Sequence, residues 1–289
     1  MAIYKVRAPA WKEKCPEFIR TSMESPKCRF CDLNEAPLAE TRLFRVIEAK
    51  YPYLPEHAIA ISKRHVKGID SLEKEELDEL LGMIGRIGRI SEEIKFIANQ
   101  GLAAGQSIPH FHMHIIRKFE ENDRFVRLMS GSARFKDPFS RIILQNAGLY
   151  GEDVNLEIDR ENAEESVKRI KSMFARLSAR YYYMMESRCA EAPEKYSDVI
   201  SNMVNERLGH ELGINWSIDG KGTCMTIIPR AIRQKDADNE YRMGATELFL
   251  GLRLERNGNL SENDLGIWLE RQERFHGEIR DALNRGRET

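Results

Sequence analysis

The run GQSIPHFHMHII, residues 105–116, places His110, His112 and His114 at every second position. Alternate side chains of a strand point to opposite faces, so one face is expected to carry the three imidazoles and the other Phe111, Met113 and Ile115. The run therefore predicts a half-buried strand with an apolar face toward a core and a wet face of histidine. Five of the seven histidines (His57, His65, His110, His112 and His114) fall within 58 residues. Such clustering suits a metal cluster, a pH-sensitive patch, or a nucleophile with its supports. His210 and His276 sit on expected helices, are read as solvent-facing, and receive no role.

The segments before this strand set its partners. LFRVIEA (43–49) and HAIAIS (57–62) read as strands joined by the turn YPYLPE, and EIKFIAN (93–99) as a third strand ending in the glycine-bearing loop NQGLAAG. Residues 71–90 carry Leu77, Leu80, Leu81, Ile84 and Ile87 at helical spacing behind a partial serine cap at Ser71. The first 120 residues are thus expected to be α+β, with a mainly antiparallel sheet. KFEENDRFVRLMSGSARFKDPFS (118–140) is the expected connector. Beyond it, helices are expected over about 160–187 and 196–210. Strands are expected at 214–219, 223–230 and 245–255, and a last helix runs from Ser261 to about Asn284. The clustered YYYMM at 181–185 reads as a buried helix face.

Composition bounds the classes open to such a chain. At 289 residues, with 42% apolar and 31% charged residues, it is long enough for one large domain or two ordinary ones. A formal net charge of -1 gives no global attraction for nucleic acid or acidic membranes, so any polyanion site must be local. No apolar run approaches the roughly 20 residues a membrane span needs, and the N-terminus lacks a signal-peptide pattern. A cytoplasmic protein is expected.

The five cysteines (Cys15, Cys28, Cys31, Cys189 and Cys224) are odd in number and scattered, unlike a secreted disulfide framework. Cys28 and Cys31 form one C-x-x-C pair in SPKCRFCDL. That pair is compatible with half a zinc knuckle, a redox pair, or coincidence. A structural tetrahedral zinc needs four N or S ligands, and His65 and one of the three alternating histidines are the available candidates. The redox reading lacks a helix N-terminus after Cys28 to lower a thiol pKa.

The run His110-Phe-His112-Met-His114-Ile-Ile, preceded by Gly105-Gln106-Ser107, resembles the signature of the histidine triad (HIT) superfamily of nucleotide hydrolases and transferases. The context agrees in order: C-x-x-C near the start, a strand ending in SKRH (62–65) where the family has PKRH, the amphipathic helix, then Asn99 and the triad. Residues 28–118 are identified on this basis as a HIT domain, within a catalytic domain over 1–120. Glu56 departs from the family, which commonly has glycine before the strand histidine. It is expected either to alter the turn entering His57 or to place an acid near the nucleotide.

The resemblance implies that His112 attacks the α-phosphorus of a nucleotide and forms a covalent nucleotidyl-imidazole, which a neutral imidazole can do without losing a proton. It implies a hydrogen bond from the other ring nitrogen to fix the tautomer, donors to phosphate or leaving-group oxygens at His114 and Ser107, and His57 completing the imidazole set. Gln106 and Asn99 are expected substrate contacts to phosphate or sugar. It further implies a structural zinc ion, Zn2+, held by Cys28, Cys31, His65 and His110. Homodimerisation is a family habit.

Residues 121–289 are expected to form a helical, α+β second domain. CMTIIPR (224–230) followed by RMGATELFLGLRLE (242–255) resembles the C-terminal segment of diadenosine tetraphosphate phosphorylases, implying a two-half architecture like that of galactose-1-phosphate uridylyltransferase with a degenerate second HIT-like unit. The alternative is a family-specific helical appendage. Those relatives usually carry glutamine at the third triad position, where this chain has His114, as hydrolases of nucleoside phosphoramidates and dinucleotides do. A histidine can exchange a proton with the leaving group or acceptor, whereas glutamine can only hydrogen-bond it. The expected function is therefore nucleotidyl transfer through His112 on a dinucleoside polyphosphate, nucleotide sugar or phosphoramidate, with hydrolysis preferred to phosphorolysis. A zinc-braced nucleotide sensor without turnover is the non-enzymatic alternative.

Overall fold

The structure is a computed structural model, and it describes residues 4–5, 28–50, 52, 54–101, 106, 108–117, 123–125, 155–159, 161–173, 212–231 and 259–285. In chain order the elements are β1 (Tyr4–Lys5), β2 (Ala39–Glu40), β3 (Phe44–Glu48), β4 (His57–Ser62), α1 (Lys74–Gly88), β5 (Ile94–Gln100) and β6 (His112–Arg117). They continue with β7 (Asn155–Glu157), the helix α2 (residues 163–173), β8 (Leu212–Ile218), β9 (Cys224–Ala231), β10 (Asn259–Leu260) and α3 (Glu262–Asn284). The fold is α+β. Eight strands form one sheet in the order β2-β3-β4-β6-β5-β8-β9-β7, every pair antiparallel, and β1 pairs with β10 apart from it.

Strand period 2 sorts the sheet into two faces. Ala58 and Ala60 of β4, Met113 and Ile115 of β6, Phe96 and Ala98 of β5, and Trp216 and Ile218 of β8 are buried in one apolar core. The apolar stripe of α1 (Leu77, Leu80, Leu81, Ile84 and Ile87) closes that core, each such side chain contributing about 2 kcal/mol by leaving water. Phe275, Ile279 and Leu283 of α3 join the same core from the far end of the chain.

Three local readings need correction. Helix α1 does not start at Ser71, which ends a 3-10 turn over Ile69–Ser71. Its N-cap is Glu73, in a reciprocal capping box with Glu76, an acid at the cap that favours the positive end of the helix. Second, β6 begins at His112, so His110 lies before the strand rather than on its face. Third, the histidine face is not wet: His110, His112 and His114 are all buried. The helix at the C-terminus begins as read, with Ser261 accepting from the Asp264 main-chain N–H at 3.1 Å. The strand-like segment 245–255, the helix expected at 196–210, residues 181–185, Cys15, Cys189 and His210 lie outside the described residues, as does most of the connector.

Candidate functional site

Two clusters are built on either side of residue 111. The first starts from the Cys28–Cys31 turn, closed by main-chain N–H groups of Cys31 and Asp32 donating to the Cys28 carbonyl at 3.0 and 3.1 Å. Opposite it, the SKRH turn after β4 is fixed residue by residue. Ser62 Oγ donates to the Arg64 carbonyl at 2.8 Å, Lys63 Nζ to the Thr41 carbonyl at 2.8 Å, and Arg64 to the Glu76 carboxylate at 3.0 and 2.5 Å. His65 Nδ1 then lies 3.2 Å from Cys31 Sγ, and His110 Nδ1 lies 3.3 Å from Cys28 Sγ and 3.6 Å from Cys31 Sγ.

The His110 Nε2 lies 2.7 Å from the Ser62 carbonyl. A carbonyl only accepts, so Nε2 carries the proton and Nδ1 presents its lone pair to the thiols. One ligand atom from each of Cys28, Cys31, His65 and His110 falls within 4.8 Å of the others. In a tetrahedral zinc site sulfur and nitrogen ligands sit about 3.6 Å apart, so these residues fit such an ion. Desolvation and the adjacent Cys28 push the Cys31 thiol up to about 11, the opposite of a redox-active thiol and a state that a dication reverses.

The second cluster lies on the histidine face of β4 and β6. His114 is flanked by Ile59 on β4 and Ile97 on β5, and His112 by Ile61. The His112 Nδ1 lies 2.7 Å from the His110 carbonyl. By the same logic Nδ1 is the protonated nitrogen, and Nε2 carries the lone pair. His57 Nε2 and His114 Nδ1 are 3.0 Å apart, and the rings of His112 and His114 meet edge to face at 5.5 Å between centroids. Phe30, inside the C-x-x-C turn, sets its ring 5.2 Å from that of His112, so the two clusters touch through one aromatic side chain.

Burial holds all three imidazoles neutral. It pushes His57 down to about 3, with His276 nearby adding to the effect, and His112 down to about 4 against the opposing pull of the His110 carbonyl. His114 is pushed well below the usual value by burial and by His57 and His112. A histidine whose folded value lies below its unfolded one is neutral when buried and protonates first in the unfolded chain. Stability is therefore fully present above about 6.5 and falls as pH drops from there toward about 3. At pH 5.0 the His57 contribution alone is expected to cost about 2 kcal/mol relative to pH 7.5. Urea unfolding at the two values, with the His57 ring resonances followed by NMR, checks this. The ring should keep its neutral shift at pH 5.0, and a midpoint near 6.5 would contradict the assignment.

The structure brings Cys28, Cys31, His65 and His110 to one cluster and His57, His112 and His114 to the other. Asn99, on the same β5 face as Ile97, accepts from Asn215 Nδ2 of β8 at 2.7 Å. Gln106 is buried and ties its own loop: its Oε1 accepts from Gly101 N–H at 2.7 Å, and its Nε2 donates to the Lys67 carbonyl at 2.8 Å. Gly101 has φ 84°, a left-handed conformation that glycine adopts without strain. Ser107 lies outside the described residues.

Glu56 is buried and faces arginines: Arg271 at 2.8 Å, Arg117 at 3.2 Å and Arg274 at 3.9 Å. His276 is not solvent-facing as read from the sequence. It is buried, with Nε2 3.4 Å from the His57 carbonyl, because α3 lies against the sheet rather than in water. Sequence reasoning also passed over Asn215 and Phe30; only Phe30 carried a signal, as the apolar residue inside the C-x-x-C turn.

Comparison with known proteins adds a family to this geometry. The HIT domain family matches residues 34–121. A 16.1 kDa HIT-like protein of Mycoplasma pneumoniae is 24% identical over 113 residues, covering 35% of this chain and 78% of its own. An HIT-like protein of Mycoplasma genitalium is 26% identical over 109 residues, covering 34% of this chain and 77% of its own. Among solved structures, yeast Ap4A phosphorylase Apa2 aligns over 89% of this chain and 81% of its own at 14% identity, with a TM-score of 0.43. A HIT family hydrolase from Clostridium thermocellum aligns over 34% of this chain and 96% of its own at 22% identity, with a TM-score of 0.29.

Proposed function

We propose, from the premise that residues 34–121 are a HIT domain, that this chain transfers a nucleotidyl group through His112. The observation that carries the reading is the 2.7 Å contact of His112 Nδ1 with the His110 carbonyl. It orients a buried neutral imidazole with Nε2 as the free electron pair, which is what in-line attack on phosphorus requires. The His112 Nε2 forms a bond to the α-phosphorus as the bond from phosphorus to the leaving-group oxygen breaks.

The pair His57 and His114 supplies the proton for that oxygen. With His114 Nδ1–H donating to His57 Nε2 across 3.0 Å, the His114 Nε2 lone pair takes up a proton beside the anionic phosphate of a bound substrate, and the cation so formed passes it to the departing oxygen. In the second step an acceptor oxygen attacks the nucleotidyl-imidazole, the nitrogen–phosphorus bond breaks, and the acceptor's proton returns to His114. Water is the preferred acceptor, because a histidine at this position can take a proton from it. Ser107, Asn99 and Gln106 are assigned to holding phosphate and sugar, Gln106 by shaping the loop.

Cys28, Cys31, His65 and His110 would hold a zinc ion with all four positions filled by protein, so the metal's contribution when bound is structural rather than catalytic. Elemental analysis is expected to find one zinc per chain in the native protein and none in Cys28→Ser. Chelation is expected to lower Tm by about 5 °C or more. A native protein purified with zinc available that holds none, and whose Tm ignores chelator, would remove the assignment.

The residues 1–120 are proposed as the catalytic domain and 121–289 as a second domain, whose β8 extends the catalytic sheet and sets Asn215 beside Asn99. The acceptor is tested by chromatography of products from diadenosine tetraphosphate, a nucleotide sugar and a nucleoside phosphoramidate, with and without inorganic phosphate. Hydrolysis predicts nucleoside monophosphate in the absence of phosphate. Nucleoside diphosphate appearing only when phosphate is added would make phosphate the acceptor. Binding without any product would make the chain a nucleotide sensor.

A further inference from the structure

Helix α3 reaches the histidine cluster from more than 150 residues away in sequence. It meets the end of the sheet where β3 finishes, β4 begins and β6 finishes. Gln272 Nε2 donates to the Glu48 carboxylate at 2.6 Å, Arg271 pairs with Glu56 at 2.8 Å and with Asp123 at 2.6 Å, and Arg117 pairs with Glu278. His276 Nε2 donates to the His57 carbonyl at 3.4 Å.

Glu56 and His57 are consecutive and both buried, and the Glu56 carbonyl accepts from Arg117 N–H at 3.1 Å. We infer that α3 is a positioning element for the histidine cluster, with His276 holding the main chain at His57 and Arg271 holding the Glu56 carboxylate beside it. The inference rests on the proposed nucleotidyl chemistry and assigns a task in it to the C-terminal part of the chain.

The physical argument concerns the strand end. His57 is the first residue of β4, so its main chain is held on one side by the sheet and on the other by a turn. Its ring must meet that of His114 at hydrogen-bond distance, and proton transfer loses efficiency steeply with misplacement, on the order of 100-fold for 1 Å. A donor on the His57 carbonyl and an ion pair on the preceding side chain fix that end. Both come from one rigid helix, separated on it by just over one turn. Glu56 thus acts as the anchor for this contact rather than as an acid facing substrate.

The test compares His276→Ala, His276→Gln and Arg271→Gln in the full-length protein. Ring nitrogen NMR reports the His57 and His114 tautomers without any substrate, and the rate of nucleotidyl adduct formation is measured with its substrate dependence. The expected result for His276→Ala is shifted His57 and His114 ring resonances and an adduct rate about tenfold lower at unchanged half-saturation. His276→Gln, which keeps a donor, should return the rate to within about threefold of native. Arg271→Gln should reproduce the Ala phenotype, and it decides the matter if His276→Ala does not fold.

Ring resonances or saturating adduct rates left at native values in both disruptive variants would overturn the inference. If the native protein forms no adduct with any nucleotide, the functional reading fails instead, and the ring resonances alone decide whether α3 positions His57.

Discussion

Replacing His112 with alanine is expected to lower turnover of the best nucleotide substrate by at least about 10^3-fold, with substrate affinity little changed. In the proposed transfer the ring supplies the attacking electron pair, and among the described residues no neighbouring imidazole can substitute for it. His110 is turned away with Nδ1 toward Cys28 and Cys31, and His114 is engaged with His57. His114→Gln should be milder, on the order of 10^2-fold, because glutamine still donates a hydrogen bond but cannot exchange a proton. Single-turnover kinetics separate the two, since loss of the nucleophile removes the first step and loss of the proton carrier slows both.

The second large effect is on stability. Glu56→Ala is expected to destabilise the fold by about 2–3 kcal/mol, because it strips the shared carboxylate from Arg117 and Arg271 while both remain part-buried, leaving each with one acid, Glu278 and Asp123. Arg117 is held between that carboxylate, Glu278 and the face of Phe275, 4.9 Å from its guanidinium carbon. Urea unfolding measures the change. The double variant Glu56→Ala with Arg271→Met should recover part of the loss, since the second charge is then also gone. A single variant within about 1 kcal/mol of native would show that water already screens these charges.

What the sequence made readable was local. HAIAIS alternates and contains no glycine or proline, so β4 is found at 57–62 as expected, and Ser261 announces α3 because a serine cap before an acidic first turn is a local signal. The start of α1 at Glu73 rather than at Ser71 has a nonlocal cause. Glu76 both caps the helix and receives Arg64 from the SKRH turn, and an ion pair across the fold cannot be read from spacing.

His276 shows the same limit more sharply. His276 reads as a solvent-facing helix residue, yet Arg271, Gln272, His276 and Glu278 each meet a group at the end of the sheet or just before it. Pattern predicts where apolar residues go inside, but not which charged residues a buried carboxylate will gather. Likewise the alternation of His110, His112 and His114 predicted one shared face. The main chain enters the strand only at His112, and His110 is drawn to the cysteines by its bond to Ser62. The pairing of β5 with β8 joins residues more than 110 apart, Asn99 to Asn215 among them, and had no local signal at all.

The most direct test of the central claim is intact-protein mass spectrometry after brief mixing with dinucleoside polyphosphate, nucleotide sugar and nucleoside phosphoramidate substrates, comparing native protein with His112→Ala. The account predicts a mass increase of one nucleotidyl group on the native chain, mapped by peptide sequencing to His112 and absent from the variant. Product formation by both proteins at similar rates, with no adduct on either, would contradict it.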